Sequence, residues 1–383
     1  MPDIKLRNIS KTFGSKIALE NVNLEIKKGE YIVLLGPSGA GKTTLLKILA
    51  GLVKPDSGEI ILKGENITKA LPEERNIAFL PQDYALFPKM DVYSNISYSQ
   101  KINNSPKEAI DKIVKEILDL MHLSERPDAF PHQLSGGMKQ RTALGRALAT
   151  NFPILLLDEP LRALDARLRL ELRKELRNLA SFLGFTIIHV THDQEEALFI
   201  SDKIIVLNNG KIQQIGTQEE IYLKPKNAYV CWFMGETNQL IAKVNDMTQL
   251  ADKDYIYKLI DEYENIYYAK SNKNFKLGQE LLYMVKAETI KLAKEEDLAK
   301  LEEKSLIEHL TFFKTTIKQK YYLGKWTNVE VLLHAKNGKN MTWNIKLPTR
   351  NTKKMEIGQL LTIKVKPEYV FLFDEDLHLG RKN

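Results

Sequence analysis

The sequence predicts an α/β fold for the first part of the chain and a mainly β domain for the rest. Up to about residue 235, short apolar runs alternate with helical patterns, as in a mostly parallel sheet covered by helices. Beyond that point, strand-like runs recur. Because 383 residues are also too many for one ordinary domain, we place domains at residues 1–235 and 236–383.

The elements of the first domain follow from its apolar pattern. Continuous apolar runs predict buried strands at Tyr31–Leu35, Ile154–Leu157 and Phe185–Val190. Helical spacing predicts helices at about 43–52, 107–149 and 166–182. The second of these regions forms the main part of a predicted helical subdomain at about residues 88–150.

The second domain is predicted from short apolar runs separated by turn residues. The runs lie at Leu281–Val285, Val329–Leu333, Thr342–Leu347 and Leu361–Val365. Asn337 and Gly338 stand between two runs, as in a hairpin turn. The charged segment 291–304 is predicted to be a solvated helix or a linker.

Composition limits the class of protein. The net charge of +7 is a mild excess, which favours a lysine-rich surface over a dedicated nucleic-acid face. A single cysteine, Cys231, excludes an internal disulfide, disfavours a zinc cluster and suggests the reducing cytoplasm. No apolar run approaches the roughly 18–20 residues that span a bilayer, and Met1–Lys5 lacks a secretory core. We therefore expect any membrane role to depend on a partner.

The segment from Gly36 to Thr43 predicts a phosphate site. It matches G-x-x-x-x-G-K-[ST], with a predicted strand before it and a helix after it. The glycines allow backbone N–H groups to surround phosphate oxygens, Lys42 adds a positive charge, and the Thr43 hydroxyl suits Mg²⁺. A glycine turn before an ordinary helix is the alternative, and the flanking elements disfavour it.

Two carboxylates follow the strand at Ile154–Leu157. Taken alone, an apolar run before Asp158 and Glu159 is often a strand that ends in a solvated turn. Beside a phosphate-binding loop, Asp158 is expected to hold the metal through water, and Glu159 to polarise the water that attacks the γ-phosphorus.

Two further motifs carry a family resemblance. Leu134–Arg141 reads L-S-G-G-M-K-Q-R, and Thr191–Asp193 reads T-H-D. With the phosphate loop and Asp158-Glu159-Pro160 in the same order, they make the chain resemble the ATP-binding cassette (ABC) ATPases. The resemblance covers the full chain and is closest to ATPase subunits of bacterial binding-protein-dependent importers, which have a C-terminal OB-like domain.

The resemblance implies a role for each motif residue and two cofactors, ATP and Mg²⁺. The residues implied in catalysis are Glu159, His192 as γ-phosphate switch, and Gln82. Those implied in nucleotide binding are Phe13, which stacks on adenine, and Gly36, Pro37, Ser38, Gly39, Ala40, Gly41, Lys42, Thr43, Thr44 and Asp158. The implied Mg²⁺ ligands are Thr43, Gln82 and, through water, Asp158.

The resemblance also implies a homodimer. Ser135, Gly136 and Gly137 of the signature segment, together with Asp165, would complete the site of a second copy. A phosphate loop leaves one side of the triphosphate open, and a hydroxyl with a helix N-terminus can close it. ATP would then join two subunits, and hydrolysis would release them.

The resemblance places the protein at the cytoplasmic face of the membrane, beneath permease subunits and indirectly served by a solute-binding protein. Tyr84–Pro88 would help to form a groove for a permease helix, although the same residues could simply pack the subdomain core. The resemblance favours a polyamine as the imported solute. Ferric iron, sulfate or molybdate, and a sugar remain the alternatives. The alternative is a soluble ABC ATPase acting on nucleic acid or ribosomes, which we do not expect.

Two residues depart from the family pattern. Met138 replaces the most common glutamine, which is tolerable because Ser135 and the backbone face the phosphate. Arg162 stands where the family usually has a small residue, close to the opposing phosphate loop in a closed dimer. It could clash, pair with an acidic group or reach phosphate, and it is expected to alter dimer-coupled turnover.

Overall fold

The computed structural model describes residues 2–250, 254–294, 297, 309–334 and 340–375. These residues form two compact units, Met1–Lys224 and Pro225–Asn383, here called the first and second units. The sequence placed the boundary after residue 235. The difference arises because a short helix, Ala228–Phe233, contributes Cys231 to an apolar cluster with Leu282 and Met284 of the second unit.

The first unit contains ten strands and seven helices among the described residues. The strands are β1 (Pro2–Phe13), β2 (Lys16–Lys27), β3 (Tyr31–Leu35), β4 (Ser57–Leu62), β5 (Glu65–Asn66), β6 (Ile77–Leu80), β7 (Ile154–Asp158), β8 (Thr186–Thr191), β9 (Lys203–Asn208) and β10 (Lys211–Gly216). The helices are α1 (Lys42–Leu49), α2 (Val92–Ile102), α3 (Lys107–Leu120), α4 (Gly136–Leu148), α5 (Ala166–Leu183), α6 (Gln194–Ile200) and α7 (Gln218–Leu223).

The central sheet of the first unit has six strands in the order β10-β9-β3-β8-β7-β6. Its pairs are parallel except for the antiparallel edge pair β10–β9, which confirms the predicted α/β sheet. Strands β3, β7 and β8 are buried along their whole length, which explains their continuous apolar runs. The loops after these three strands meet at one edge of the sheet, where ligands bind in open α/β folds.

A second, antiparallel sheet has the order β2-β1-β4-β5. Register shifts interrupt β1 and its partners, so only parts of these strands alternate cleanly in sequence. Helix α1 ends at Leu49 rather than near Leu52, because Gly51 adopts φ +81° and the Leu52 N–H returns to the Lys47 carbonyl. Leu52, predicted to lie on the apolar face, is half-exposed as a result.

Helices α2, α3 and α4 form the helical subdomain. A Cβ added at Gly145 of α4 would lie 2.8 Å from the side chain of Ile117 in α3, so this position admits only glycine without movement. Buried Gln100 of α2 donates to the Ala149 carbonyl just after α4. The subdomain therefore holds α4 firmly on one side.

The second unit contains ten strands, β11 to β20, in two five-stranded antiparallel sheets among its described residues. The first sheet comprises β13 (Ile266–Ser271), β12 (Tyr255–Asp261), β11 (Thr237–Gln249), β14 (Glu280–Lys286) and β20 (Val370–Phe373). The second comprises β15 (Lys291–Leu292), β19 (Leu360–Val365), β16 (Thr311–Leu323), β17 (Trp326–His334) and β18 (Asn340–Pro348). The helices are α8 (Ala228–Phe233) and α9 (Thr349–Thr352).

Side chains of both sheets share one core, in which Tyr267, Tyr283, Phe313 and Trp343 contact one another. The prediction of a mainly β domain is confirmed. The hairpin turn predicted at Asn337–Gly338 lies outside the described residues, as does most of segment 291–304.

Among the described residues, no helix combines the length and apolarity needed to cross a bilayer.

Candidate functional site

The loop between β3 and α1 is shaped by glycines that cannot be replaced without strain. Gly41 has φ +104°, and an added Cβ would lie 2.3 Å from the Ala18 carbonyl oxygen. A Cβ at Gly36 would lie 2.2 Å from the Leu207 carbonyl oxygen. The loop is thus enclosed by neighbouring backbone, and α1 begins directly after it with no side-chain cap on its first N–H groups. Such a helix start favours an anionic ligand.

Lys42 is buried at the first position of α1. Its ammonium donates to the carbonyls of Gly36 and Pro37 at 2.7 and 2.8 Å, so the side chain folds back over the loop. Burial lowers the pKa of Lys42, while the carboxylates of Glu159 and Asp158 oppose that shift. The loop therefore already contains a positive charge positioned for phosphate.

Thr43 and Asp158 join α1 to the end of β7. The Thr43 hydroxyl donates to Asp158 Oδ2 at 2.8 Å. Burial raises the pKa of Asp158, with repulsion from Glu159 adding to the rise and the Thr43 hydrogen bond opposing it. These two side chains and Gln82 border one cavity of about 400 Å³.

The donor set of this cavity fits Mg²⁺. A hydroxyl, a carboxylate and an amide oxygen are hard oxygen ligands, and Mg²⁺ bound with a nucleotide takes only one or two protein ligands beside phosphate and water. No group of three or more His, Cys, Asp or Glu side chains within the described ranges could hold a metal by itself.

Glu159 follows β7 in a left-handed conformation, with φ 51°. Its N–H donates to the Val190 carbonyl of β8, and its own carbonyl accepts from Gln140 Nε2 of α4 at 3.0 Å. These bonds hold a backbone that non-glycine residues seldom adopt. The strain fixes the direction in which the carboxylate leaves the sheet.

The Glu159 carboxylate collects contacts from three segments. Gln82 Nε2 donates to Oε2 at 3.2 Å, and Arg162 Nη1 donates to the same oxygen at 2.9 Å. His192 Nδ1 lies 3.1 Å from Oε1. All three residues expected to act in catalysis, Glu159, Gln82 and His192, are thus in direct contact, and Arg162 joins them.

A buried polar network supports the segment that bears His192. His189 of β8 contacts the Tyr31 hydroxyl at 3.0 Å, and Glu196 of α6 accepts from the Thr191 hydroxyl at 2.8 Å. Arg173 of α5 donates to Asp193 at 2.7 Å. Burial lowers the pKa of His189. Both neighbours of His192 in sequence are therefore anchored, whereas the His192 side chain is exposed.

The signature residues lie at helix starts. Ser135 accepts from the Met138 N–H and caps α4, while Asp165 accepts from the Leu168 N–H and caps α5. The Leu168 N–H lowers the pKa of Asp165. A Cβ added at Gly137 would contact the Ala163 carbonyl, and at Gly136 it would meet nothing within 4 Å. Within the described part of the chain, the recorded contacts of these residues do not reach the phosphate loop.

Sequence reasoning missed the role of Gln140. This fully buried side chain donates to the Glu159 carbonyl and accepts from the Ala163 N–H at 3.0 Å, so α4 is joined to both ends of segment 159–163. The signal available in the sequence was its helical spacing from Gly136, which puts both on one face of α4.

Phe13 and Tyr84–Pro88 are the remaining predicted segments. Phe13 is half-exposed at the β1–β2 turn, where its register partner Lys16 reaches within 3.9 Å of the position that a Gly39 Cβ would take. The Phe87 ring packs at a tilt against Tyr98, with the ring centroids 4.4 Å apart, and lies under the Arg146 guanidinium. Arg146 also donates to the Tyr84 and Ala85 carbonyls. The segment packs on the subdomain while Ala85 and Pro88 stay exposed.

Comparisons with known proteins agree with this geometry. A family model described as ABC transporter matches residues 19–162. The spermidine/putrescine import ATP-binding protein of Clostridioides difficile is 38% identical over 379 residues, which are 99% of this chain and 98% of the relative. The sulfate/thiosulfate import ATP-binding protein of Neisseria meningitidis is 48% identical over 245 residues, 63% of this chain and 69% of the relative.

A solved structure is similar to part of the chain. It is the dimeric post-hydrolysis state of the ATP-binding cassette MJ0796, bound to ADP and Pi. The two share 34% identity with a TM-score of 0.53, and the match covers 56% of this chain and 98% of the other.

Proposed function

Because the chain belongs to the ABC transporter family, among its import ATP-binding proteins, we propose that this ATPase binds MgATP at the loop 36–44 and uses its hydrolysis to drive solute uptake through a membrane permease. One observation carries the proposal. The Thr43–Asp158 hydrogen bond of 2.8 Å stands beside a carboxylate that contacts both Gln82 and His192.

Each residue at this edge has a distinct task. The loop N–H groups and Lys42 hold the phosphates; Thr43 and Gln82 would hold Mg²⁺ directly and Asp158 through water, and the ion would offset phosphate charge. Glu159 accepts a proton from the attacking water, and His192 contacts the γ-phosphate. Phe13 stacks on the base, since an exposed aromatic ring near the loop offers a large apolar face.

The site of one chain is incomplete on its signature side. Ser135, Gly136 and Gly137 present a hydroxyl and the start of α4 at an exposed surface, which suits an anion supplied by another copy. We infer that the protein works as a homodimer with Asp165 at the contact. The dimeric cassette similar to this chain supports this arrangement.

The solute is proposed to be a polyamine such as spermidine or putrescine. The relative matched over 98% of its length carries that name, and the match extends through the second unit. Sulfate import is the competing assignment, since the Neisseria relative is more identical over the part it matches. The chain would act at the cytoplasmic face of the membrane, with a solute-binding protein serving the permease from the other side.

The test replaces Glu159 with glutamine. Glu159→Gln keeps the size of the side chain and removes its basicity, so ATP hydrolysis should fall at least about 100-fold, the scale of general-base catalysis. The protein should also accumulate as an ATP-bound dimer in size-exclusion chromatography. Uptake of labelled spermidine by the assembled transporter in proteoliposomes should stop.

The matched control is Glu59→Gln, because Glu59 is an exposed glutamate that also faces an arginine, Arg7, at 3.9 Å. It should hydrolyse ATP like the unaltered protein. Undiminished hydrolysis by Glu159→Gln would remove its role as base. Uptake of sulfate but not spermidine by the unaltered transporter would reassign the solute.

A further inference from the structure

Within the single chain Arg162 pairs with an acidic group, which is one of the three outcomes that the sequence left open. Its Nη1 donates to Glu159 Oε2 at 2.9 Å, three residues along the same loop. The Arg162 side chain is 57% exposed, whereas the Glu159 side chain is 15% exposed. An exposed, permanently charged group therefore covers the carboxylate that is expected to accept a proton.

The hydrogen bond from Arg162 competes with the proposed role of Glu159 as a general base. Oε2 already accepts from Gln82, and Arg162 takes a second position on the same oxygen. A base must direct a free lone pair at water, and a charge-assisted hydrogen bond is among the strongest contacts that can occupy one. Glu159 and Arg162 also border a cavity of about 60 Å³, which has room for water beside the carboxylate.

The backbone of this loop is held while the guanidinium remains accessible. Gln140 fixes the Ala163 N–H and the Glu159 carbonyl on either side of Arg162. The side chain can therefore leave Glu159 by rotation alone, with segment 159–163 unmoved. Asp165, which caps α5 directly after the loop, belongs to the surface proposed to meet the second subunit.

We propose that Arg162 is an electrostatic latch, a positioning residue that holds Glu159 out of use in the resting chain and releases it when a second subunit and its nucleotide draw the guanidinium away. This inference rests on the proposed function. It explains how the chain can hold ATP beside Glu159, Gln82 and His192 without hydrolysing it before a second subunit closes the site.

The experiment measures basal ATPase activity of the full chain without permease, at saturating MgATP. Arg162→Ser should raise kcat about two- to fivefold, the scale of a partly exposed ion pair, and should leave KM for ATP unchanged. Arg162→Gln, which keeps a donor but no charge, should behave like the serine variant. Arg162→Lys should stay near the unaltered protein.

Ionic strength gives a readout that a purely structural role would not move. Raising salt from about 0.05 M to about 0.5 M should raise kcat of the unaltered protein towards that of Arg162→Ser, because salt screens the pair. Arg7→Ser is the matched control, since it removes an exposed arginine that faces a glutamate within the antiparallel sheet β2-β1-β4-β5. It should change neither kcat nor its salt dependence.

Two results would overturn the latch. A lower kcat in Arg162→Ser and Arg162→Gln would show that the guanidinium supports the reaction, and an unchanged kcat would show that the pair has no effect. Both are distinct from failure of the proposed function, which is decided by whether Glu159→Gln still hydrolyses ATP.

Discussion

The phosphate half of the site (residues 36–44, 158, 159 and 192) and the signature half (residues 135–137 and 165) are built differently. In the phosphate half, Lys42 and Asp158 are buried, and the Thr43 hydroxyl donates to Asp158. In the signature half, the polar side chains do no more than cap helices at an exposed surface. The difference is what the proposed dimer requires, in which one chain holds ATP and a second copy closes around it.

The largest expected effect comes from blocking the signature half. Gly136→Arg should fold normally, because an added Cβ meets no atom within 4 Å in its own chain. It should keep the ATP affinity of the monomer yet prevent the ATP-bound dimer, so kcat falls at least about tenfold, which equals about 1.4 kcal/mol. Fluorescent-nucleotide binding and size-exclusion chromatography check both parts. Normal dimerisation of this variant would show that the signature half does not form the contact with a second copy.

A smaller effect should follow from replacing Gln140, whose side chain joins α4 of the signature half to Glu159 of the phosphate half. Gln140→Leu leaves the Glu159 carbonyl and the Ala163 N–H without their partner, which should cost about 1–3 kcal/mol of stability and lower kcat severalfold at unchanged ATP affinity. The matched control is Gln100→Leu, which removes another buried glutamine that donates to a carbonyl of the subdomain. It should lose similar stability by denaturant unfolding but retain turnover. Equal kcat losses in both variants would make Gln140 a packing residue only.

The smallest effect concerns pH. Burial lowers the pKa of His189, with Glu196 opposing and Arg173 adding to the shift, so the folded chain binds fewer protons than the unfolded one below about pH 6.5. The unfolding free energy should therefore fall as pH drops from 6.5 towards 5, by at most about 1.4 kcal/mol per pH unit from this group. His189→Gln should flatten this dependence in denaturant titrations. The control His132→Gln alters an exposed histidine and should leave the pH dependence unchanged. A pH dependence that His189→Gln does not change would show that His189 does not contribute to it.

Local signals in the sequence were sufficient for strands β3, β7 and β8 of the central sheet and for the strand-loop-helix order around the phosphate loop, but they did not indicate β6, β9 or β10. Strand β3 is apolar throughout because both of its faces are covered, and the glycines of the loop form a contiguous motif, although the backbone that requires them, at Ala18 and Leu207, lies elsewhere in the sequence. By contrast, the left-handed backbone of Glu159 depends on Val190 and Gln140, which are distant in the sequence. Spacing rules describe neighbours along one element, so they cannot reveal such bonds.

Arg162 shows that the sequence can also leave the partner of a single side chain undecided. The sequence identified it as unusual and offered several partners for it. Only the fold brings Oε2 of Glu159 within 2.9 Å, because the turn after β7 reverses the chain over three residues. The glycine at position 51 is a residue type that often ends a helix, but the apolar spacing continues to Leu52 and favoured a longer α1.

The chain's single cysteine gives it a practical advantage. Cys231 is fully buried, and burial raises the pKa of its thiol to about 12, so almost none of it is the reactive thiolate at neutral pH. We therefore expect the native protein to react only slowly with maleimides and other thiol-directed labels. Cysteines introduced at Ser38 and Ser135 could therefore be labelled or cross-linked without first replacing Cys231. A disulfide between the two introduced cysteines would show directly that the two positions come within bonding distance.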